Sequence, residues 1–155
     1  MKIKKNLEPI ASGLSAAVVI SILAFLTYEV AGIWLMFSFG ATVFIVFVLY
    51  DLETAQPKNI FFGHLVSILV GIIINETIGL SFYSLGFAVG ISVILMIYLK
   101  IMHPPAASNP LVALSMDLSF DYVLFPVIAG ALIIIITSII INRFILKRNY
   151  PKKWL

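Results

Sequence analysis

At 155 residues, 62% hydrophobic and 11% charged, the chain is too apolar for a water-soluble domain, in which about a quarter of the residues carry charge. Its net charge of +3 comes from Lys2, Lys4 and Lys5 at one end and Lys147, Arg148, Lys152 and Lys153 at the other; these flank apolar runs as juxtamembrane anchors and give no nucleic-acid surface. There is no cysteine, which removes disulfides, thiolate metal sites and cysteine nucleophiles.

Residues 10–30 form the first span, near the roughly 20 apolar residues that a bilayer requires. This run is longer than a signal-peptide core and more membrane segments follow it, so it reads as a retained helix. Gly32 begins a second apolar stretch, 33–50, broken in the middle by Ser38-Phe39-Gly40-Ala41-Thr42. The longest polar loop, 51–59, follows; Pro57 stops what precedes it and the next helix starts around Asn59, a capping residue. That helix carries Gly63-His64 near its start and Gly71 further on, and ends at Asn75-Glu76-Thr77. Residues 82–99 make the next span, with Gly86 and Gly90 on one face, suited to close contact with another helix. After a second break come a short apolar run at 111–116, a polar turn at 117–121, and a last span at 122–145. Pro126 lies in its first turns, and Tyr150 and Trp154 beyond it are expected at interfacial depth.

The second break, Lys100-Ile101-Met102-His103-Pro104-Pro105-Ala106-Ala107-Ser108-Asn109-Pro110, is the densest group of polar and helix-breaking residues in the chain. Tandem prolines remove two backbone donors and push the preceding residue out of helical geometry. Within lipid, such a break is tolerated where protein or a water-filled cavity satisfies the freed groups. Ser108-Asn109-Pro110 has the form of a helix start, a capping side chain followed by proline. Thr42, after Gly40-Ala41, would play the same part in the first break. Two half-helix N-termini meeting at mid-membrane would favour an anion. Gly40 and Ala106 would let backbone approach it, Thr42, Ser108 and Asn109 would donate hydrogen bonds, and His103 would supply switchable charge. His64, Lys100, Pro104, Pro105 and Asn59 form a second tier. The plainer alternative is that the hydroxyls cap helices broken for packing and His103 is a turn residue at the headgroups. Neither histidine stands at metal-ligand spacing with Asp51, Glu53, Asp117 or Asp121, so no metal is expected. No catalytic or nucleotide motif is present, so neither enzyme activity nor a cofactor is expected.

Sliding the chain along itself by about 67 positions lays Gly63 on Gly130, and Ile72-Ile73-Ile74-Asn75 on Ile139-Ile140-Ile141-Asn142. One residue of slippage lays Gly40-Ala41-Thr42 on Ala106-Ala107-Ser108. The expectation is an all-α polytopic membrane protein, a single membrane domain over 1–155 with repeat halves at about 10–76 and 80–145. Four full transmembrane helices plus two broken, re-entrant segments is the favoured arrangement. A helix over 108–118 would rise only about 16 Å, half a bilayer core. Six spans in a 3+3 inverted repeat is the alternative. Both keep the termini on one side, the cytoplasmic one by their positive charge.

The His103-Pro104-Pro105-Ala106 core resembles the signature of the HPP family of integral membrane proteins. The resemblance extends to Phe39-Gly40-Ala41-Thr42, to Ala55-Gln56-Pro57-Lys58-Asn59, and to Gly63-His64 with Ser67 beyond, in order along nearly the whole chain. It implies four membrane spans. It also implies a small transporter or channel-like protein for nitrite or a similar small anion, since plastid and cyanobacterial members are implicated in nitrite transport while many others have no assigned substrate. The chain departs from the family where members commonly carry a further glycine or threonine after the second break, which leaves the substrate open. Without a plastid transit peptide, the expected location is the cytoplasmic membrane of a prokaryote. The expected partners are membrane lipids and a second or third copy of the chain, a dimer or trimer formed through Gly86, Gly90 and Gly130. The rival functions are a non-transporting membrane scaffold and a membrane-embedded enzyme.

Overall fold

Six helices, each antiparallel to the one before it, make up the bundle in the computed structural model, which describes residues 5–30 and 33–154. Lys2, Lys4 and Gly32 lie outside the described residues. The helices are α1 (Glu8–Glu29), α2 (Phe37–Val48), α3 (Pro57–Ile78), α4 (Phe82–Tyr98), α5 (Asn109–Ser115) and α6 (Val123–Ile145), with short 3-10 turns at Glu53–Ala55 and Pro104–Ser108. Helices α1, α3 and α6, of 22, 22 and 23 residues, are long and apolar enough to cross a membrane. Helix α4 has 17 residues and α2 has 12, both apolar. The all-helical, polytopic expectation holds, and among the described residues there is no strand.

Paired contacts fix the direction of each element. Thr27 at the far end of α1 accepts from the amides of Trp34 and Leu35 before α2, while Ser12 near its start donates to the Phe47 carbonyl at the end of α2. Thr42 meets His64, and Val46 clusters with Ile60, so α3 runs back along α2. Met96 packs with Val66, and Ala88 with Val70 and Ile74, reversing the course again in α4. The second break and α5 then run alongside α3: Asn109 meets His64, Gly71 lies against Pro110 and Ala113, and Asn75 meets Asp117. Helix α6 returns along α2, from Gly130 at Phe39 to Asn142 at Val46. Both short segments therefore lead from one end of the bundle to the other, the alternating course of the six-segment arrangement. Their helices are short, about 18 Å for α2 and about 10 Å for α5; the lead-ins at 33–36 and 99–108 supply the rest of the path.

Lipid-facing proteins gain little by hiding apolar side chains from hydrocarbon, so polar residues turn inward. Phe37, Phe82 and Tyr98 are each more than 80% exposed (87, 88 and 81%), while Ser12, Thr42, Asn59, His64, Ser67, Ser92, His103, Asn109, Ser138 and Asn142 are buried. Among them sits an apolar cluster of Phe39, Val43, Ile68, Ile72, Val127 and Ile134.

Several local expectations are corrected. Ser38 to Thr42 are not a break: they lie inside α2, and the interruption falls earlier, in the extended residues before Phe37. Helix α3 begins at Pro57, whose missing N–H costs nothing in the first turn, so Asn59 is not its cap; the Asn59 amide donates instead to the Met102 carbonyl at 3.0 Å. Gly130 is no outer face, since a Cβ there would overlap the Phe39 ring. Tyr150 is no interfacial anchor either: it is 1% exposed, packs with Val46, Ile60 and Ile135, and its hydroxyl donates to the Ala55 carbonyl at 2.8 Å. Arg148 also turns inward. Its guanidinium donates to the Phe47 carbonyl, Asn142 Oδ1, Ser12 Oγ and Glu8 Oε1 at 2.8–3.3 Å, and lies 4.6 Å from the Tyr50 ring centre. These contacts join the two ends of the described chain at one end of the bundle.

Candidate functional site

Glycine brings the second break against α3. A Cβ at Gly63 would lie 2.7 Å from the His103 Cβ, and one at Gly71 would lie 2.7 Å from the Pro110 Cα. Two turns apart on one face, these glycines leave room for backbone-to-backbone approach over 103–113. The tandem prolines hold His103 extended (φ −140, ψ 93) just before the 3-10 turn, as residues preceding proline are held. Its ring is thereby carried into the bundle rather than toward the headgroups.

There it meets His64, from α3, and Thr42, from α2. All three are fully buried. Thr42 Oγ1 lies 2.9 Å from His64 Nε2 and 3.0 Å from His103 Nε2, and the ring centroids are 5.0 Å apart. His103 Nδ1 is 2.8 Å from the Thr54 carbonyl. Asn109 Nδ2 reaches three acceptors at once: Ser67 Oγ at 2.9 Å, His64 Nδ1 at 3.0 Å and the His64 carbonyl at 3.3 Å. The Phe39 ring stands edge-on to His64, 5.2 Å between centroids.

The hydrogens follow from which groups can only accept. A carbonyl takes a hydrogen from His103 Nδ1, so in the neutral ring His103 Nε2 is the acceptor and Thr42 supplies its hydroxyl hydrogen. Thr42 oxygen then accepts from His64 Nε2–H, and His64 Nδ1 accepts from Asn109. The chain Asn109 to His64 to Thr42 to His103 to Thr54 thus has one consistent direction with both rings neutral. Asn109 Oδ1 is left without a partner among the described residues.

The residues singled out from sequence divide. His103, Asn109, Thr42 and His64 converge; Ala106 and Pro105 are buried beside them, and Asn59 tethers the strand leading to His103. Gly40 is exposed on the outer face of α2 and lines a groove of about 670 Å³ with Gly13, Ala16 and Phe44, away from the histidines. Ser108 makes no cap; its hydroxyl donates backwards to the Pro105 carbonyl at 2.9 Å. Thr42 is likewise mid-helix, not a helix start. Lys100 and Pro104 are exposed. A cavity of about 260 Å³, lined by Met96, Ile97, Met102, His103, Pro104 and Ala107 among others, opens beside the break. Sequence reasoning named Ser67 only within the family resemblance and gave neither it nor Thr54 a place in the site. Ser67 had a signal, one turn beyond His64 on the same helix; the Thr54 contribution is a carbonyl, which no side-chain pattern reveals.

The family model described as "HPP, transmembrane region" matches residues 2–151. A transmembrane protein of Dictyostelium discoideum is 32% identical over 165 aligned positions, covering 98% of this chain and 53% of the relative. A second from the same organism is 32% identical over 127 positions, covering 76% and 44%. The chain thus spans about half the length of the curated relatives it matches. No solved structure matches. With a family model covering almost every residue, the chain is a member of the HPP transmembrane family.

Proposed function

We propose that the protein passes a small anion, nitrite or one of similar size, across the membrane, with the His64–Thr42–His103 cluster on its path. The observation that carries this reading is the burial of two ionisable rings against each other inside an apolar bundle. Ionisable groups inside a membrane are expensive to hold there and mark ion or proton pathways. Four segments of the chain (α2, α3, the second break and α5) contribute to the cluster, so a modest shift between them would open it. The halves also cross over. Gly63 of the first half receives His103 of the second, and Gly130 of the second receives Phe39 of the first; this suits an inverted repeat of two three-segment halves that rock against each other. We place both ends of the chain in the cytoplasm on their positive charge, and oligomer contacts at Gly86 and Gly90, which are exposed on α4 with open space around them.

One observation favours a non-transporting scaffold: every ring nitrogen of the cluster has a protein partner, as a purely structural polar core would. Flux separates the two. Proteoliposomes loaded with a pH- and nitrite-sensitive readout, challenged with nitrite, nitrate, formate and chloride, should show saturable uptake of at least one anion. That uptake should fall at least tenfold in folded His103→Ala and Asn109→Leu proteins. Uptake of none of these above empty liposomes would sink the transport reading in favour of the scaffold.

A further inference from the structure

We propose that His103 is a site for a single proton, and that the Thr42 hydroxyl is the rotor that lets the closed bundle accept it without losing a hydrogen bond. The proposal concerns the histidine pair itself and stands whichever ion passes.

Thr42 has one hydroxyl hydrogen and two acceptors for it. Oγ1 is 3.0 Å from His103 Nε2 and 3.1 Å from the carbonyl of Ser38, one turn earlier in α2. With His103 neutral, the hydrogen points at Nε2. When a proton binds Nε2, that hydrogen turns to the Ser38 carbonyl, and Oγ1 becomes a double acceptor, from His103 Nε2–H and from His64 Nε2–H at 2.9 Å. The bond from His103 Nδ1–H to the Thr54 carbonyl is unchanged. The charged ring then has both its hydrogens bonded, and no heavy atom need move.

His64 has no equivalent freedom. Its remaining nitrogen, Nδ1, faces Asn109 Nδ2, which is held at once by Ser67 Oγ, the His64 carbonyl and Nδ1 itself. A proton on Nδ1 would meet an N–H, and presenting Oδ1 to it instead would require the whole amide to turn over, taking its hydrogens from Ser67 Oγ and the His64 carbonyl. Nor can both rings be charged, because the second charge would lie about 5.0 Å from the first in a dry contact. Among the described residues, no other ionisable side chain meets His103. Helix α2 offers Ser38 and Thr42, α4 offers Met96 across the shared cavity wall, and α5 offers Asn109, which binds His64. The 53–55 turn offers the Thr54 carbonyl, with Glu53 directed outward at Lys153, 3.8 Å away. The cavity of about 260 Å³ touches His103 and not His64, which gives the proton its approach.

With two histidines in the chain, nitrogen NMR of protein labelled at histidine in lipid nanodiscs reads both rings separately. At alkaline pH one ring should carry its hydrogen on Nδ1 and the other on Nε2. On acidification one proton per chain should be taken up, on the ring that began as the Nδ1–H form, while the Nε2–H ring stays neutral. Thr42→Ser should titrate as the parent does. Thr42→Val, lacking the second acceptor, should bind the proton at least about tenfold more weakly, a shift of one pH unit or more. Two neutral rings down to pH 4, charge appearing first on the Nε2–H ring, or a Thr42→Val midpoint equal to the parent's would each overturn the proposal. If Thr42→Val does not fold, the parent tautomers and the identity of the charged ring decide it. A normal titration in a protein that moves no anion would refute the transport function and leave the proton site standing.

Discussion

Asn109 on α5 and His64 on α3 meet at 3.0 Å through Nδ2 and Nδ1, and the Asn109 amide closes that contact while also holding the Ser67 hydroxyl and the His64 carbonyl. Removing the donor leaves buried acceptors unpaired, at about 1–3 kcal/mol. Asn109→Leu should therefore lower the thermal midpoint of detergent-solubilised protein. Asn109→Asp should lower it further, because it sets an acceptor against a carbonyl and a ring lone pair. Equal stability of the two variants would show that the hydrogen directions assigned to the cluster are wrong.

Glycine at 63 and 71 is a matter of space. An added methyl would press on the His103 Cβ or on the Pro110 Cα, both close to rigid proline backbone, and overpacking of this kind costs about 1–3 kcal/mol. Gly63→Ala and Gly71→Ala should destabilise and displace the second break. Gly40→Ala and Gly13→Ala face open space and should be neutral or, by helix propensity, stabilising by up to about 1 kcal/mol. Melting curves of the four single variants test the contrast, and unaltered anion flux in Gly40→Ala would confirm that Gly40 is no part of the path.

The Arg148 side chain is 6% exposed and its partner Glu8 45%. The ion pair itself is half in solvent and worth about 0–1 kcal/mol; the carbonyl and amide acceptors are what Arg148 satisfies. Glu8→Gln should change stability little. Arg148→Ala should cost about 1–3 kcal/mol and loosen residues 146–154, seen as faster amide exchange there. A larger loss in Glu8→Gln than in Arg148→Ala would reverse this ranking.

Burial pushes the Tyr150 phenol above its ordinary range, while its hydroxyl donates to the Ala55 carbonyl. In the unfolded chain the phenol ionises near pH 10, so the folded form retains a proton that the unfolded form gives up. Stability from this docking is complete below that pH and declines as pH rises beyond it. Thermal midpoints of the parent should fall between pH 9 and 11 more steeply than those of Tyr150→Phe. At neutral pH the variant should lose only the one hydrogen bond, about 0.5–1.5 kcal/mol. Parallel curves would contradict the buried, neutral phenol.

Apolar runs of bilayer length, end clusters of lysine and arginine, and a proline-paired break are local properties, and they were enough to read an all-helical membrane protein with a polar centre near His103. Gly63 lies against His103 of the second break and Gly130 against Phe39 of α2, close approaches that sequence could not display. What misled was composition read as conformation. Ser38, Gly40, Ala41 and Thr42 are small, yet the stretch continues a helix, and the Thr42 hydroxyl finds both histidines across the bundle. Arg148 and Tyr150 look like surface anchors because their type and position suit headgroups; only the cleft at the end of the bundle, with the Phe47 and Ala55 carbonyls as acceptors, turns them inward.

Hydropathy and helix-breaking residues operate over a few neighbours, so chain order alone is sufficient to set the number and character of the segments. The pairing of His64 with His103 through Thr42 spans 61 positions of chain. It depends on α2, α3 and the second break arriving at one level and on two glycines permitting the approach. Hydrogen bonds act over about 3 Å, and which groups come within that distance is a property of packing in three dimensions.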